Sequence, residues 1–329
     1  MATKVQSQPA PEKFGVYCLA NDEAFEWFQG FVRSLRKHDP DLPLTVIPYN
    51  SAITRLRALQ AQFNFTVMDE ATASRFDAIA PRVAGLKIAG GTFRKLCTFF
   101  GGYETFIFLD SDIVVTQKLE PLLRAFEVAA ADFVYFDTDL PMVYVPDFAR
   151  QMVAEYGSPG FNSGAFISRR GSITGAEILA AVDLGEKIRE RFAIWGEQPF
   201  LNYLLDVTRR RRLPASALVP GISEKPWARV AFRHDAARDE YLDGAGRPMP
   251  FIHWPGCEWP TMFRPEVFLR HRTLGMGGVE RLGYRFNFYY RRWRANLKTT
   301  LRKCPWFAGW VARREAQLQE QRRTAAAAK

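Results

Sequence analysis

The sequence is poor in cysteine and contains no long apolar run. The cysteines show no CxxC spacing, which argues against a zinc cluster or a disulfide framework and fits a reducing cytoplasm; they are Cys18, Cys97, Cys257 and Cys304. No run of apolar residues is long enough to cross a bilayer, so no transmembrane helix is predicted. The polar residues 1–13 predict a disordered tail and no signal peptide.

Basic residues strongly outnumber acidic ones near the C-terminus. The formal net charge is +10, and residues 281–323 contain twelve Lys or Arg against two Asp or Glu. Residues 1–280 are therefore close to neutral, so the high pI does not indicate a nucleic-acid-binding domain, and we expect no nucleic-acid partner. A length of 329 residues and a hydrophobic content of 47% are typical of a globular protein with a large core.

Apolar runs and amphipathic segments alternate along the chain. Strands are predicted at 14–22, 44–50, 65–69, 106–110 and 131–137, followed by a turn and strand near 160–170. Helices are predicted at 23–38, 51–63 (with Ser51 as the N-cap), 90–105, 118–127, 172–193 and 197–207. Residues 206–260 are irregular, with a last strand-like piece at 251–256. This alternation predicts an α/β domain with a mostly parallel sheet flanked by helices.

Two carboxylates interrupt an apolar stretch in the segment TFIFLDSDIVVT. On an extended chain, Asp110 and Asp112 leave the same face with Cα atoms about 6.5 Å apart, and the preceding apolar run puts them at the end of a buried strand. Such a pair can chelate Mg²⁺ or Mn²⁺, whose remaining ligands are often substrate phosphates. A strand end followed by a turn cap explains the pair equally simply, and residues 137–139 have the same Asp-x-Asp form.

The segment FIFLDSDIVVTQKLEPLL resembles the DxD segment of nucleotide-sugar glycosyltransferases with the GT-A fold. Within them it is most similar to glycosyltransferase family 8, the group of glycogenin and the bacterial lipopolysaccharide galactosyltransferases. Five further segments resemble that family's segments in the same order along residues 14–260: VYCLAND, FRKLCTFFG, FNSGAFI, GEQPFLNYLL and PFIHWPG. The resemblance implies a GT-A domain over 14–275.

The resemblance also implies roles for individual residues. The metal ligands of Mn²⁺ (or Mg²⁺) would be Asp110, Asp112 and His253, and the catalytic residues would be Gln198, beneath the reacting carbon, with Glu197 and Lys95. The residues that would bind the UDP-sugar donor are Cys18, Leu19, Ala20, Asn21, Lys95, Asp110, Ser111, Asp112, Asn162, Ser163, Gly164, Gln198 and Gly256. Each also has a structural explanation: a core histidine, a hairpin turn at 162–164, a helix cap at 197–198, and a solvated helix face for Lys95.

One departure from the family pattern concerns the donor phosphates. The family's His-x-x-Gly segment is usually followed by a Lys-Pro-Trp, whereas here Gly256 is followed by Cys-Glu-Trp-Pro. A Lys-Pro-Trp occurs earlier, at residues 225–227, and Arg264 lies downstream; either cation could replace the missing lysine. Glu197 also stands where the family has Asp.

Aromatic and basic residues alternate near the C-terminus. Residues 276–323 predict a basic amphipathic helical extension, followed by a disordered tail at 324–329. Within 281–310, one stripe is apolar and a second is basic: Phe286, Tyr289 or Tyr290, Trp293, Leu297 and Leu301 against Arg291, Arg294, Lys298 and Arg302. This pattern is typical of a helix on an anionic membrane surface, and equally of one that packs its apolar face on the domain.

These observations and the family resemblance together predict a metal-dependent glycosyltransferase that transfers a hexose from a UDP-sugar, and the resemblance further implies retention of anomeric configuration. Its acceptor could be a carbohydrate, a lipid-linked molecule or a protein, and its location cytoplasmic, with peripheral attachment to the inner face of the membrane as a further expectation. Two alternatives remain: a non-catalytic, membrane-docked scaffold that binds nucleotide sugars, and a sugar nucleotidyltransferase. The second is disfavoured because CLANDEAFEW, after the first strand, is not a Gly-rich phosphate loop.

Overall fold

The computed structural model describes residues 12–84, 90–194, 196–302 and 317. The chain divides into two compact units, Met1–Pro255 and Gly256–Lys329. The predicted tails lie outside the described residues, except that the first strand already begins at Glu12. The boundary between the two compact units follows Pro255. The predicted start of a separate C-terminal extension at residue 276 stays a prediction.

A seven-stranded sheet forms the centre of the first unit. The strands described in this unit are β1 (Glu12–Ala20), β2 (Leu44–Pro48), β3 (Thr66–Val67), β4 (Tyr103–Asp110), β5 (Ile113–Val115), β6 (Phe133–Tyr135), β7 (Ala165–Arg169), β8 (Arg212–Pro214), β9 (Phe232–Asp235), β10 (Glu240–Asp243) and β11 (Phe251–His253). The sheet order is β3-β2-β1-β4-β7-β6-β8, and only β7 runs antiparallel to its neighbours. The predicted α/β class with a mostly parallel sheet is confirmed.

Helices connect these strands. The described α-helices of the first unit are α1 (Phe25–His38), α2 (Thr54–Arg57), α3 (Gln60–Phe63), α4 (Glu70–Ala73), α5 (Ala80–Val83), α6 (Glu120–Val128), α7 (Pro146–Tyr156), α8 (Gly175–Gly185), α9 (Glu197–Val207) and α10 (Ala215–Leu218). Short 3₁₀ segments lie at Asp22–Ala24, Ser74–Ile79, Gly90–Phe100, Leu140–Met142 and Glu186–Arg191. The segment predicted as one helix at 90–105 is thus a 3₁₀ helix that ends at Phe100.

The predicted helix over 51–63 is wrong in detail. The segment forms two separate turns, α2 and α3, and the cap is not Ser51. Instead the carboxylate of Asp22, which directly follows the first strand and its Asn21, accepts hydrogen bonds from the backbone N–H groups of Arg55 and Leu56 at 3.1 Å each. A capping residue so distant in sequence leaves no local signal.

Strand β4 shows why the sequence before the aspartates is uniformly apolar. Phe106 and Phe108 belong to the hydrophobic core on one face of the sheet, and Ile107 and Leu109 belong to the core on the other. Since both faces are covered, alternate residues cannot be polar, as expected for a central strand of a layered α/β domain. The apolar run ends at Asp110, where β4 reaches the edge of the sheet.

Beyond Asp110 the chain leaves the sheet and pairs elsewhere. Strand β5 runs antiparallel to β11, with Ile113 opposite His253. The Trp254 N–H donates to the carbonyl of Asp112 at 3.1 Å. This two-stranded ladder joins the segment that follows β4 to the last strand of the first unit, which is remote from it along the chain.

The second unit is helical where it is described. Its helices are α11 (Pro265–Arg272) and α12 (Gly278–Arg302). Helix α12 falls within the predicted basic amphipathic extension, of which residues 303–316 and 318–323 lie outside the described part of the chain. None of the described helices combines the length and the apolar character that crossing a membrane requires.

Candidate active site

Asp110, Asp112 and His253 meet at the carboxyl edge of the sheet. One ligand atom from each lies within 4.8 Å of the other two, and the Nε2 of His253 is 3.3 Å from an Asp112 carboxylate oxygen. The aspartates remain partly open, with 29% and 22% of their side chains exposed, whereas His253 is buried. Two carboxylates and an imidazole form a donor set suited to Mn²⁺.

A glycine opposite this cluster leaves room for it. A Cβ on Gly164 would lie 2.4 Å from Cε1 of His253 and 2.8 Å from Oδ2 of Asp110. The Gly164 carbonyl accepts a hydrogen bond from the Asp110 backbone N–H at 2.8 Å, so the two backbones are held at this separation. Glycine is therefore required because the side chains of the cluster occupy the space of its missing side chain.

The charges of the cluster shift its pKa values. Burial, with Asp112 adding to it, raises the pKa of Asp110 to about 6, although Lys95 and His253 act in the opposite direction. Burial would lower the pKa of His253, but Asp112, Asp110 and Asp137 raise it above its usual value. Carboxylates crowded in this way are costly without a neighbouring cation.

Lys95 lies beneath the cluster. Its side chain is only 3% exposed, and its ammonium is 2.6 Å from Glu197 and 3.7 Å from Asp110. Burial would lower the pKa of Lys95, but these two carboxylates raise it. Burial alone would raise the pKa of Glu197, but Lys95 and the Ser163 hydroxyl bring it below its usual value. The alternative of a solvated Lys95 on a helix face is wrong, because the lysine is buried between acidic groups.

The turn at 162–164 is held from both sides. The Asn162 side-chain oxygen accepts from the Gly164 N–H at 2.8 Å. The Ser163 N–H donates to the Gln198 side chain at 3.2 Å, and the Ser163 hydroxyl donates to Glu197 at 2.9 Å. The first two residues of α9 thus bind the turn, so they do more than cap a helix, and the predicted catalytic pair lies next to the predicted sugar-binding turn.

The first-strand residues lie at the same edge of the sheet. Leu19 is in register with Asp110 across the β1–β4 pair. Its side chain belongs to the core on one face of the sheet, and those of Cys18 and Ala20 belong to the core on the other. Burial raises the pKa of the Cys18 thiol well above its usual value. Asn21 is buried and caps the following 3₁₀ turn by accepting from the Ala24 N–H at 3.1 Å. For Cys18 and Ala20, the backbone rather than the side chain would meet a donor nucleotide.

Sequence reasoning treated Asp137 only as part of a look-alike motif. In the structure it is buried, accepts a hydrogen bond from the Trp227 indole, and is one of the carboxylates that raise the pKa of His253. Burial raises the pKa of Asp137 itself. The signal that could have identified it is its position after β6, which runs parallel to β4 and ends at the same edge.

The Lys-Pro-Trp segment at 225–227 lies alongside β11. The His253 N–H donates to the Pro226 carbonyl and the Ala228 N–H donates to the His253 carbonyl, both at 2.8 Å. Lys225 is exposed, and it lines a cavity of about 610 Å³ together with Asp137. The Lys-Pro-Trp segment, which lies before His253 in this sequence and not after Gly256, is therefore next to His253 in space.

Two of the predicted residues, Gly256 and Arg264, belong to the second unit. Gly256 begins that unit and adopts a positive φ of 66°, with open space where a Cβ would lie. Arg264 precedes α11, also with a positive φ, of 48°. Their predicted roles toward the donor stay predictions.

Comparison with solved structures identifies the fold. The galactosyltransferase LgtC, in complex with donor and acceptor sugar analogues, superposes with a TM-score of 0.52 at 14% sequence identity, over 82% of this chain and 99% of that one. The chain has the GT-A glycosyltransferase fold. The bifunctional glycosyltransferase WbbM gives a TM-score of 0.52 at 14% identity, over 85% of this chain and 52% of WbbM. An active-site mutant of LgtC gives 0.51 at 14% identity, over 78% and 94%.

The similarity is one of structure. No protein-family profile matches the sequence, and no curated protein matches it. At so low a sequence identity the likeness establishes the GT-A fold and leaves the chemistry to be argued from the residues themselves.

Proposed function

We propose that this protein is a metal-dependent glycosyltransferase that transfers a hexose from a UDP-sugar. The observation that carries the proposal is the convergence of Asp110, Asp112 and His253 at the carboxyl edge of a GT-A sheet. Open α/β sheets bind their ligands at this edge. The UDP base, the hexose and retention of configuration rest on the sequence resemblance, and the acceptor is a carbohydrate, a lipid-linked molecule or a protein.

A divalent cation fits this donor set. The two aspartates are partly open toward solvent, His253 is fixed by the β5–β11 ladder, and a Gly164 side chain would fill the space they share. When bound, Mn²⁺ or Mg²⁺ would act as a Lewis acid on the diphosphate oxygens. The protein's part is to hold the three ligands in place, which lowers the entropic cost of positioning the donor.

Lys95, Glu197 and Gln198 support the sugar end of the site. Lys95 balances the charge of Asp110 and Glu197, so the carboxylates can stay ionised beside the donor. Glu197 and Gln198 hold the turn at Ser163 from below. In the proposed reaction Gln198 lies beneath the anomeric carbon, and the turn 162–164 lies against the hexose.

Lys225 is our candidate for the cation that neutralises the diphosphate. The backbone beside it is hydrogen-bonded to His253, and its side chain is exposed on the cavity wall near Asp137. We expect Lys225→Ala to weaken UDP binding about tenfold while uridine binding stays unchanged, because only the phosphates lose a partner. Lys187→Ala, at an exposed lysine on a 3₁₀ segment, is the matched control. Equal losses for UDP and uridine would exclude the phosphate role.

Calorimetric titration of UDP with and without Mn²⁺ tests the central proposal. A transferase should bind UDP in a Mn²⁺-dependent way and hydrolyse a subset of UDP-hexoses slowly in the absence of an acceptor. A non-catalytic scaffold is the second candidate, favoured by the missing lysine after Gly256. UDP binding that does not depend on Mn²⁺, without hydrolysis of any donor, would support the scaffold, and the absence of any UDP binding would reject both.

A further inference from the structure

Helix α12 carries apolar residues on two opposite faces. One face is used within the second unit: Phe288 is 1% exposed and packs edge-on against Trp259, with ring centroids 5.8 Å apart. One turn further on, the Arg292 guanidinium donates to the carbonyls of Pro260 and Met262 at 2.9 and 2.7 Å. These contacts fix which way the helix faces relative to residues 259–262.

The opposite face is apolar and exposed. Its members, which we call the apolar stripe, are Val279, Leu282, Phe286, Tyr289, Tyr290, Trp293 and Leu297. Their exposed fractions run from 39% to 89%. At 3.6 residues per turn they lie within an arc of about 100° on the side away from Phe288, and along about 27 Å of helix. A contiguous exposed patch of this size indicates an interaction surface.

Basic residues border the stripe. Helix α12 contains one acidic residue, Glu280, and seven basic ones: Arg281, Arg285, Arg291, Arg292, Arg294, Lys298 and Arg302. Helical spacing puts Arg285 beside one edge of the stripe and Arg294 beside the other. The surface is therefore apolar along its middle and cationic along both sides.

We propose that the apolar stripe binds an anionic lipid surface, with α12 lying in the plane of the headgroups. Anionic headgroups complement the basic borders, and Trp293 and Tyr290 suit the interface between headgroups and acyl chains. A second copy of the chain would bring two strongly cationic helices together, which is electrostatically unfavourable. A nucleic acid would match the charge but leave the apolar residues in water.

Vesicle co-sedimentation of the full-length protein tests this proposal. We expect pelleting with phosphatidylcholine vesicles that contain phosphatidylglycerol, little pelleting with phosphatidylcholine alone, and weaker pelleting at high salt. The variant Leu282→Ser/Phe286→Ser/Trp293→Ser should lose at least about tenfold in the vesicle partition coefficient. The matched control, Val128→Ser/Leu179→Ser/Leu184→Ser, removes three exposed apolar residues of the first unit and should pellet like the wild type.

A charge variant separates the two components of binding. Arg285→Gln/Arg294→Gln/Lys298→Gln should abolish the preference for phosphatidylglycerol while leaving the circular dichroism spectrum unchanged. The proposal is overturned if the wild type shows no anionic preference or if the serine variant pellets equally well. It is also overturned if the serine variant only converts a concentration-dependent dimer to a monomer, which would assign the stripe to a second copy. UDP binding is measured on the same variants, so that a loss of lipid binding can be distinguished from a loss of the proposed donor-binding function.

Discussion

Two Asp-x-Asp segments lie at the same edge of the sheet and have different neighbours there. Segment 110–112 follows β4 and segment 137–139 follows β6, and the two strands are parallel because β7 lies antiparallel between them. At 110–112 both aspartates are partly exposed and converge with His253. At 137–139 the leading aspartate, Asp137, is buried and already accepts a hydrogen bond from Trp227.

The difference lies in the partners that the fold supplies. In the first pair, the two carboxylates and the His253 imidazole have ligand atoms within 4.8 Å of one another, and Gly164 adds no side chain to the space beside them. Asp137 has a neutral N–H donor in place of that gap, so its polar group is satisfied within the protein. A sequence motif with correct spacing is thus insufficient: a third ligand from another part of the chain decides which pair can hold a metal.

The largest effect should come from the first pair. We expect Asp112→Ala to reduce donor hydrolysis by about 10³-fold or more, since it removes one of the three proposed metal ligands. The unfolding free energy should change by less than about 1–2 kcal/mol, because the substitution also relieves repulsion with Asp110. Measurements of donor hydrolysis and of thermal unfolding on the same variant check the expected loss of activity and the expected retention of stability. Full activity in this variant would end the argument for a metal on the first pair.

A methyl group opposite the pair should have the next largest effect. Gly164→Ala puts a Cβ within 2.4 Å of His253, so the ligand set must shift, and we expect Mn²⁺ affinity to fall about 10- to 100-fold. Gly175→Ala is the control, since open space surrounds that glycine at the start of α8. Unchanged Mn²⁺ affinity in Gly164→Ala would mean that the metal binds elsewhere.

Mn²⁺ binding should depend on pH because the cation competes with protons. The pKa of Asp110 is raised to about 6 and that of His253 lies above its usual value, and both groups must lose a proton to act as ligands. Affinity should therefore fall as the pH decreases: about tenfold per unit once His253 is protonated, and more steeply below about 6. Calorimetry from about pH 5.5 to 8 measures how Mn²⁺ affinity depends on pH. His253→Gln should remove the part of this dependence above about pH 6, which is due to His253. A flat profile would contradict the assignment.

The smallest effect should come from the second segment. Asp137→Asn keeps an acceptor for the Trp227 indole but removes a negative charge that raises the pKa of His253. The midpoint of the pH profile should then move down by about 0.5 unit, with Mn²⁺ affinity at about pH 8 within a few-fold of the wild type. A loss of donor hydrolysis as large as that of Asp112→Ala would show that the two segments do not differ as the geometry indicates.

The central strands and the metal-ligand candidates could be predicted because their signals are local. Strand β4 reads as a continuous apolar run, and the break at Asp110 marks its end. Helix α1 was predicted almost to its ends, because its apolar spacing and its basic last turn are both contained in the segment. His253 was found through the order of segments and not from its own surroundings, and the ladder that aims it at Asp112 was not predicted.

The features that were missed are one helix with local boundary signals and several contacts between distant parts of the chain. Helix α7 was not predicted, although Pro146 at its start and Gly157 in the left-handed conformation after its end are typical helix boundaries. The start of α2 is capped by Asp22, and the environment of Lys95 depends on Glu197, at the start of a helix much later in the chain. Charge pairing across such distances is decided by the fold and not by spacing along the chain.

The ladder between β5 and β11 has a consequence for biosynthesis. Asp110 and Asp112 emerge from the ribosome well before His253, so a nascent chain contains two of the three proposed metal ligands long before the third is synthesised. Stable cation capture would begin only when β11 emerges and pairs with β5. Metal occupancy would then report that translation has passed residue 253, and a chain truncated before that point would bind the ion weakly.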